Sequence, residues 1–114
     1  TVTFWSVWEG EQLAGIGALK LLDDKHGELK SMRTAPNYLR RGVASLILRH
    51  ILQVAHDRCL HRLSLETGTQ AGFTACHQLY LKHGFVDCEP FADYQLDPHS
   101  RFLSLTLCEK NELL

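Results

Sequence analysis

The chain has 114 residues, 45% of them hydrophobic and 22% charged, and 12 basic against 13 acidic side chains leave a formal net charge of −1. That length fits a single domain over residues 1–114 with one core, and the balanced charge argues against a nucleic-acid binder, which advertises itself by basic excess. No apolar run reaches the ~18 residues of a membrane span, and the start TVTFWSVWEG has neither the basic lead nor the long apolar stretch of a secretory leader, so no membrane partner and a cytoplasmic location are expected.

Val2 and Phe4, then Val7 and Trp8 after a change of phase, make an aromatic and β-branched run that predicts a first strand. Glu9 to Gln12 carries Gly10 and predicts a turn. LAGIGALKLL follows, and its two glycines would weaken a helix more than a strand. Asp23 to Gly27 is a second turn, and ELKSMRT, residues 28 to 34, alternates as a third strand. Short connections imply an antiparallel meander. The period then changes. Val43, Ile47, Ile51 and Val54, widened by Ala44, Leu48 and Ala55, form one apolar stripe and predict a helix from about Arg41 to Arg58. HRLSLET, residues 61 to 67, reads as a buried strand and GTQAG as a loop. Ala75, Cys76, Leu79, Tyr80 and His83 make a second helical stripe that Gly84 ends. FVDC is a short strand, EPFADYQLDPHS a loop with Pro90 and Pro98, and RFLSLTL the last strand. The predicted order is β-β-β-α-β-α-β-β: an α/β (α+β) fold with one mixed, mostly antiparallel sheet. The strand-helix-strand unit over residues 28 to 67 should place two strands parallel by a right-handed crossover.

The corner between the third strand and the first helix, MRTAPNYLRRGVASLIL, suits an anion. A helix beginning near Arg40 or Arg41 exposes unpaired N–H groups and a positive dipole end. Gly42 lets a ligand approach the backbone, Ala44 is small, and Arg40 and Arg41 add charge, which together favour a phosphate or pyrophosphate. Neither a Walker loop nor G-x-G-x-x-G is present. A plain helix start with solvated arginines fits the corner equally. Cys59, Cys76, Cys88 and Cys108 form no C-x-x-C pair and are expected as reduced, mostly buried thiols. His56, Cys59 and His61 lack the matching half of a metal site, so no metal is expected.

Gly42-Val43-Ala44 after the basic loop, and LYLKHGF without a gap at the end of the second helix, change the weight of these readings. Together they resemble the GNAT superfamily of acetyl-CoA-dependent N-acetyltransferases, whose signature is a strand, a [Q/R]-x-x-G-x-[G/A] loop, a long helix and a later helix ending in LY-x-x-x-GF. The resemblance covers essentially the whole chain and implies transfer of acetyl from acetyl-CoA directly to an amine of a small molecule or peptide. It implies that Leu39, Arg40, Arg41, Gly42, Val43, Ala44 and Ser45 hold the pyrophosphate. It also implies that the strand at Met32, Arg33 and Thr34 carries the pantetheine arm by strand addition, with a backbone N–H near Met32 as donor to the thioester oxygen. Tyr80 matches the tyrosine that protonates the leaving thiolate. The base is Glu28, at the start of the strand leading to the loop, or Glu66, as base or amine anchor on the next strand; both equally fit surface or turn positions. His83 and Cys76 share the Tyr80 face and are expected to be structural. Phe91 and Tyr94 fit an acceptor wall, a core cover or a dimer contact.

Two departures from that signature stand out. Leu39 occupies the position of the family's Gln or Arg, which predicts weaker binding carried by backbone amides and the neighbouring arginines. The strand and helices that precede the first strand in the family, and wall its acceptor pocket, are not in this sequence, so the chain is expected to be a piece of a longer protein or to complete its pocket with a partner, a homodimer being one arrangement. The alternative is a non-catalytic CoA-binding or oligomeric regulatory module.

Overall fold

The computed structural model describes residues 1–107; Cys108 lies outside the described residues. One six-stranded sheet runs in the order β1-β2-β3-β4-β6-β5. Its strands are β1 (Val2–Glu9), β2 (Gln12–Leu21), β3 (His26–Thr34), β4 (Arg62–Gly68), β5 (Val86–Asp87) and β6 (Ser100–Thr106), with helices α1 (Val43–Asp57) and α2 (Thr74–Lys82). The predicted order of elements is found without loss or insertion, and single 3-10 turns at Pro36–Tyr38 and Ala71–Phe73 precede the helices. β1, β2 and β3 form the antiparallel meander, β3 and β4 pair in parallel, and β4 and β6 pair antiparallel.

Period-two alternation divides the sheet into two faces. Leu19, Leu29, Leu63, Leu65 and Leu103 form one core with Ile47, Leu48, Ile51 and Ala55 of α1 and Tyr80 of α2. Each fully buried leucine or isoleucine there contributes about 1.5–3 kcal/mol. The glycines of β2 are what let α1 lie so close: a Cβ on Gly17 would stand 2.6 Å from Ile47 Cγ2 and 2.8 Å from Met32 Sδ. The opposite face carries His26, Glu28 and Lys30 of β3 beside Ser64 and Glu66 of β4 and Phe102 and Ser104 of β6, placed together by the strand registers.

In β1, Phe4 is 64% and Trp8 57% exposed, whereas Trp5 and Val7 pack inward. The change of phase is real, because the β1–β2 register shifts between Val7 and Trp8. Two expectations are corrected. α1 begins at Val43, not at Arg40 or Arg41, because Arg40 (φ 62°) and Gly42 (φ 81°) both adopt left-handed backbone that a helix cannot include. The described cysteines are not mostly buried: Cys59 is exposed and Cys76 and Cys88 are half-buried. Among the described residues no helix is long and apolar enough to cross a membrane.

Candidate active site

The site begins where the sheet comes apart. β3 and β4 pair only through His26–Arg62, Gly27–Leu63 and Glu28–Ser64. Beyond that point β3 stays with β2 as far as Thr34, and β4 stays with β6 as far as Gly68. The cause lies in β3. Ala18 pairs with Lys30 and Ile16 with Arg33, so Ser31 and Met32 together oppose Gly17. Ser31 takes φ 57° to make this bulge, which bends the strand and leaves its β4-side edge without a strand partner.

The opening is a cleft of about 380 Å³ lined by Lys30, Met32, Arg33 and Glu66 from the strands and by Phe73, Cys76 and Tyr80 from the α2 side. A second cleft of about 430 Å³ is lined by Thr34, Leu39, Arg40, Gly42, Val43, Ala44 and Ser45, with Ala75, Cys76 and Leu79 opposite. Cys76 lines both, so α2 forms a continuous wall from the helix start to the splayed strands.

The helix start has the properties an anion requires. The first helical bond runs from Leu46 N–H to the Gly42 carbonyl at 3.0 Å. The N–H groups of Val43, Ala44 and Ser45 precede it, no side chain caps the helix, and its first turn has no acidic residue. Nothing lies within 4 Å of where a Cβ on Gly42 would stand. Leu39, 58% exposed, and Arg40 line this cleft. Arg41 does not. Its guanidinium stacks on Tyr38, 4.7 Å from the ring centroid, and lies 3.5 Å from Glu9. Tyr38 Oη lies 3.1 Å from Glu9 Oε1 and 3.0 Å from Gln12 Oε1, one of which accepts its proton, so Arg41 is tied to the β1–β2 turn. Of the two arginines expected at the corner, only Arg40 lines this cleft.

Tyr80 is buried against Phe85 at 5.7 Å between ring centroids, and its hydroxyl makes no hydrogen bond to another described residue. Burial, with a lesser contribution from Cys76, raises its phenol well above the usual 10, so it holds its proton. Glu66 lines the strand side of the same cleft, with one carboxylate oxygen accepting from Ser100 Oγ at 2.7 Å. Glu28 is 3% exposed and does not line the cleft. It accepts from Tyr94 Oη at 2.6 Å and pairs with Lys30 Nζ at 3.4 Å, and Lys30 is the member of that cluster that reaches the cleft. The loop before β6 supplies this lock. Phe91 is buried against His26 and Phe102, and Tyr94 packs on both Phe91 and Phe102. His83 closes α2 by donating from Nδ1 to the Leu79 carbonyl at 2.9 Å, a structural role. Lys30 was open to sequence reasoning, standing two residues from Glu28 on the same face; the bulge at Ser31 and the role of Tyr94 carried no sequence signal.

A mixed sheet splayed at its parallel pair, with an uncapped helix start beside the opening, defines an acyl-CoA N-acyltransferase fold. The acetyltransferase (GNAT) family pattern matches residues 1–85. YedL of Escherichia coli K12, an uncharacterised N-acetyltransferase, is 96% identical over 113 residues, covering 99% of this chain and 71% of that protein. YsnE of Bacillus subtilis 168, also an uncharacterised N-acetyltransferase, is 56% identical over 106 residues, covering 93% and 70%. A Klebsiella pneumoniae structure assigned as an acyl-CoA N-acyltransferase superposes with a TM-score of 0.86 at 29% identity, covering 95% of this chain and 74% of that one. An Elizabethkingia anophelis GNAT acetyltransferase solved with acetyl-CoA bound shares the fold at a TM-score of 0.75 and 18% identity, covering 91% and 75%. The chain belongs to the acetyltransferase (GNAT) family and is an acyltransferase.

Proposed function

We propose that this chain transfers the acetyl group of acetyl-CoA directly to an amine of a small molecule or peptide. The observation that carries the reading is the cleft itself. It sets Tyr80 on its helix side and Glu66 on its strand side, and continues along α2 to the uncapped start of α1.

The residues fit the cosubstrate. The amides of Val43, Ala44 and Ser45 and the side chain of Arg40 would hold a pyrophosphate at the positive end of α1. Leu39 adds only its backbone there. The unpaired edge of β3 at Met32, Arg33 and Thr34 would receive the pantetheine arm as an added strand, and a β3 amide near Met32 would donate to the carbonyl oxygen as charge builds on it. Acetyl-CoA supplies the acetyl group, and the carbon–sulfur bond breaks as the carbon–nitrogen bond forms. Glu66 is the better placed base, because it lines the cleft, whereas Glu28 reaches it only through Tyr94 and Lys30. Tyr80 gives its proton to the leaving thiolate, for which its raised phenol keeps it protonated. The non-catalytic module is the weaker reading, since binding alone needs neither Tyr80 nor Glu66 at the opening. Three described cysteines left as thiols suit a reducing cytoplasm.

Calorimetry with acetyl-CoA and release of CoA thiol with a panel of amines test the proposal together. Saturable heat and amine-dependent thiol release support it. Neither heat nor a melting shift at millimolar acetyl-CoA would end it.

A further inference from the structure

Lys30 and Arg33 are three residues apart, and in a regular strand they would point to opposite faces. The Ser31 bulge removes one step of the alternation. Lys30 pairs with Ala18 and Arg33 with Ile16, and those two partners share a face because they stand two apart. Both cations therefore lie on the sheet face that carries Glu28 and Glu66, away from the helices, and both line the cleft.

Their charges are balanced differently. Lys30 is occupied by Glu28 at 3.4 Å and Tyr94 at 3.5 Å. Arg33 is exposed and makes no ion pair or side-chain hydrogen bond with another described residue. Glu66 has one oxygen held by the neutral Ser100 and, among the described residues, no cation paired with it. The mouth of the cleft thus presents one uncompensated cation on β3 and one uncompensated anion on β4, while the phosphate-binding start of α1 lies in the adjoining cleft.

Building on the N-acetyltransferase reading, we propose that the acceptor is an amine that also carries a carboxylate, in the manner of an amino acid, with Arg33 taking the carboxylate and Glu66 the amine. A planar guanidinium binds a carboxylate through two parallel hydrogen bonds, and Glu66 both orients the amine and takes its proton. An amine without an anion gives the exposed Arg33 guanidinium no partner and gains nothing from it. A polyamine meets repulsion there.

The test compares amino acids with their decarboxylated amines and their methyl esters, reading kcat/KM by CoA thiol release, with calorimetry of the N-acetyl products in the presence of CoA. The free carboxylate should improve kcat/KM by at least about tenfold, the effect of roughly 1.4 kcal/mol of selective binding. Arg33→Gln should abolish that preference through KM for the amino acid, and Arg33→Lys should restore part of it. Equal use of the decarboxylated amines, a change confined to KM for acetyl-CoA in Arg33→Gln, or no binding by any carboxylated compound each overturns the proposal. Calorimetry with acetyl-CoA alone keeps the two readings apart: if it binds and the carboxylate preference is absent, only the acceptor assignment falls.

Discussion

Replacing Tyr80 by phenylalanine separates chemistry from packing. The ring is buried against Phe85, and the hydroxyl makes no hydrogen bond to another described residue, so phenylalanine keeps the contact and forfeits no bond. Tyr80 lines the cleft and its hydroxyl is not one of the buried polar atoms left without a partner, so its removal should be close to neutral. For a domain near this size each 1 kcal/mol moves Tm by about 4–8 °C, so Tm should stay within a few degrees. Turnover should move the other way. Loss of a positioned general acid lowers kcat by about 10²–10⁴-fold, or roughly 3–5 kcal/mol of barrier. KM for acetyl-CoA, which the proposed reading rests on the α1 amides and the β3 edge, should change little. Because burial raises the Tyr80 phenol above 10, the wild-type rate should show no alkaline fall from loss of this proton up to that pH. Differential scanning fluorimetry and a thiol-release assay across pH supply all three readouts. Full turnover in Tyr80→Phe would remove the residue from the mechanism. A fall of several degrees in Tm would make any loss of turnover structural.

Arg40→Ala should raise KM for acetyl-CoA in a salt-dependent way, whereas Arg41→Ala, which loses an exposed pairing with Glu9 and a stack on Tyr38, should lower Tm slightly with KM nearly unchanged; steady-state kinetics at two ionic strengths distinguish them. Gly17→Ala would drive a methyl into Ile47 and Met32, and should cost about 1–3 kcal/mol in a urea titration, with the loss following from overpacking at the α1 contact. His26 is held below its usual 6.5 by burial first and by Arg62 second, against opposing pulls from Asp23 and Glu28. Its neutral form bonds Ser64 Oγ at 2.7 Å, so its contribution is present above pH 6.5 and lost as the pH falls through the lowered value. Thermal melts of wild type should therefore decline on acidification below pH 6.5, and His26→Gln should flatten that decline.

Periodicity made the fold legible. The 3.6-residue stripe of α1 and the alternation of β4 and β6 are averages over many side chains, and a single misread residue does not change them. Element ends depend on one or two backbone torsions, which is why α1 was expected at Arg41 and starts at Val43. In β1, Phe4 and Trp8 are apolar yet exposed, so hydrophobicity alone does not say which face the helices cover. At the site, the motif residues Gly42 to Ser45 and Tyr80 came from local pattern and line two adjoining clefts. The partnership of Glu28 with Tyr94 joins residues 66 positions apart, and the diversion of Arg41 to Glu9 joins residues 32 apart. Neither has a local signature.

The bulge and the corner are best understood as one construction. Among the described non-glycine residues only Ser31, Arg40, Cys59 and Ala92 have positive φ, and the first two bracket the segment that joins the two clefts. Each such torsion costs about 1–3 kcal/mol and persists only where the surroundings hold it. A regular β3 would relax Ser31, but it would turn Arg33 toward the face where Val43 and Ile47 already press against Gly15. It would also bring the β3 edge back toward β4 and close the opening. Relaxing Arg40 and Gly42 into helix would extend α1 backward by a turn, and the Val43, Ala44 and Ser45 amides would then bond to preceding carbonyls instead of facing the cleft. Strain at Ser31 therefore keeps the strands apart and the cations on one face, and strain at Arg40 keeps the helix start open. This also accounts for a tolerable Leu39: in a corner built from backbone torsions, the side chain at that position is the part of the cradle most easily spared.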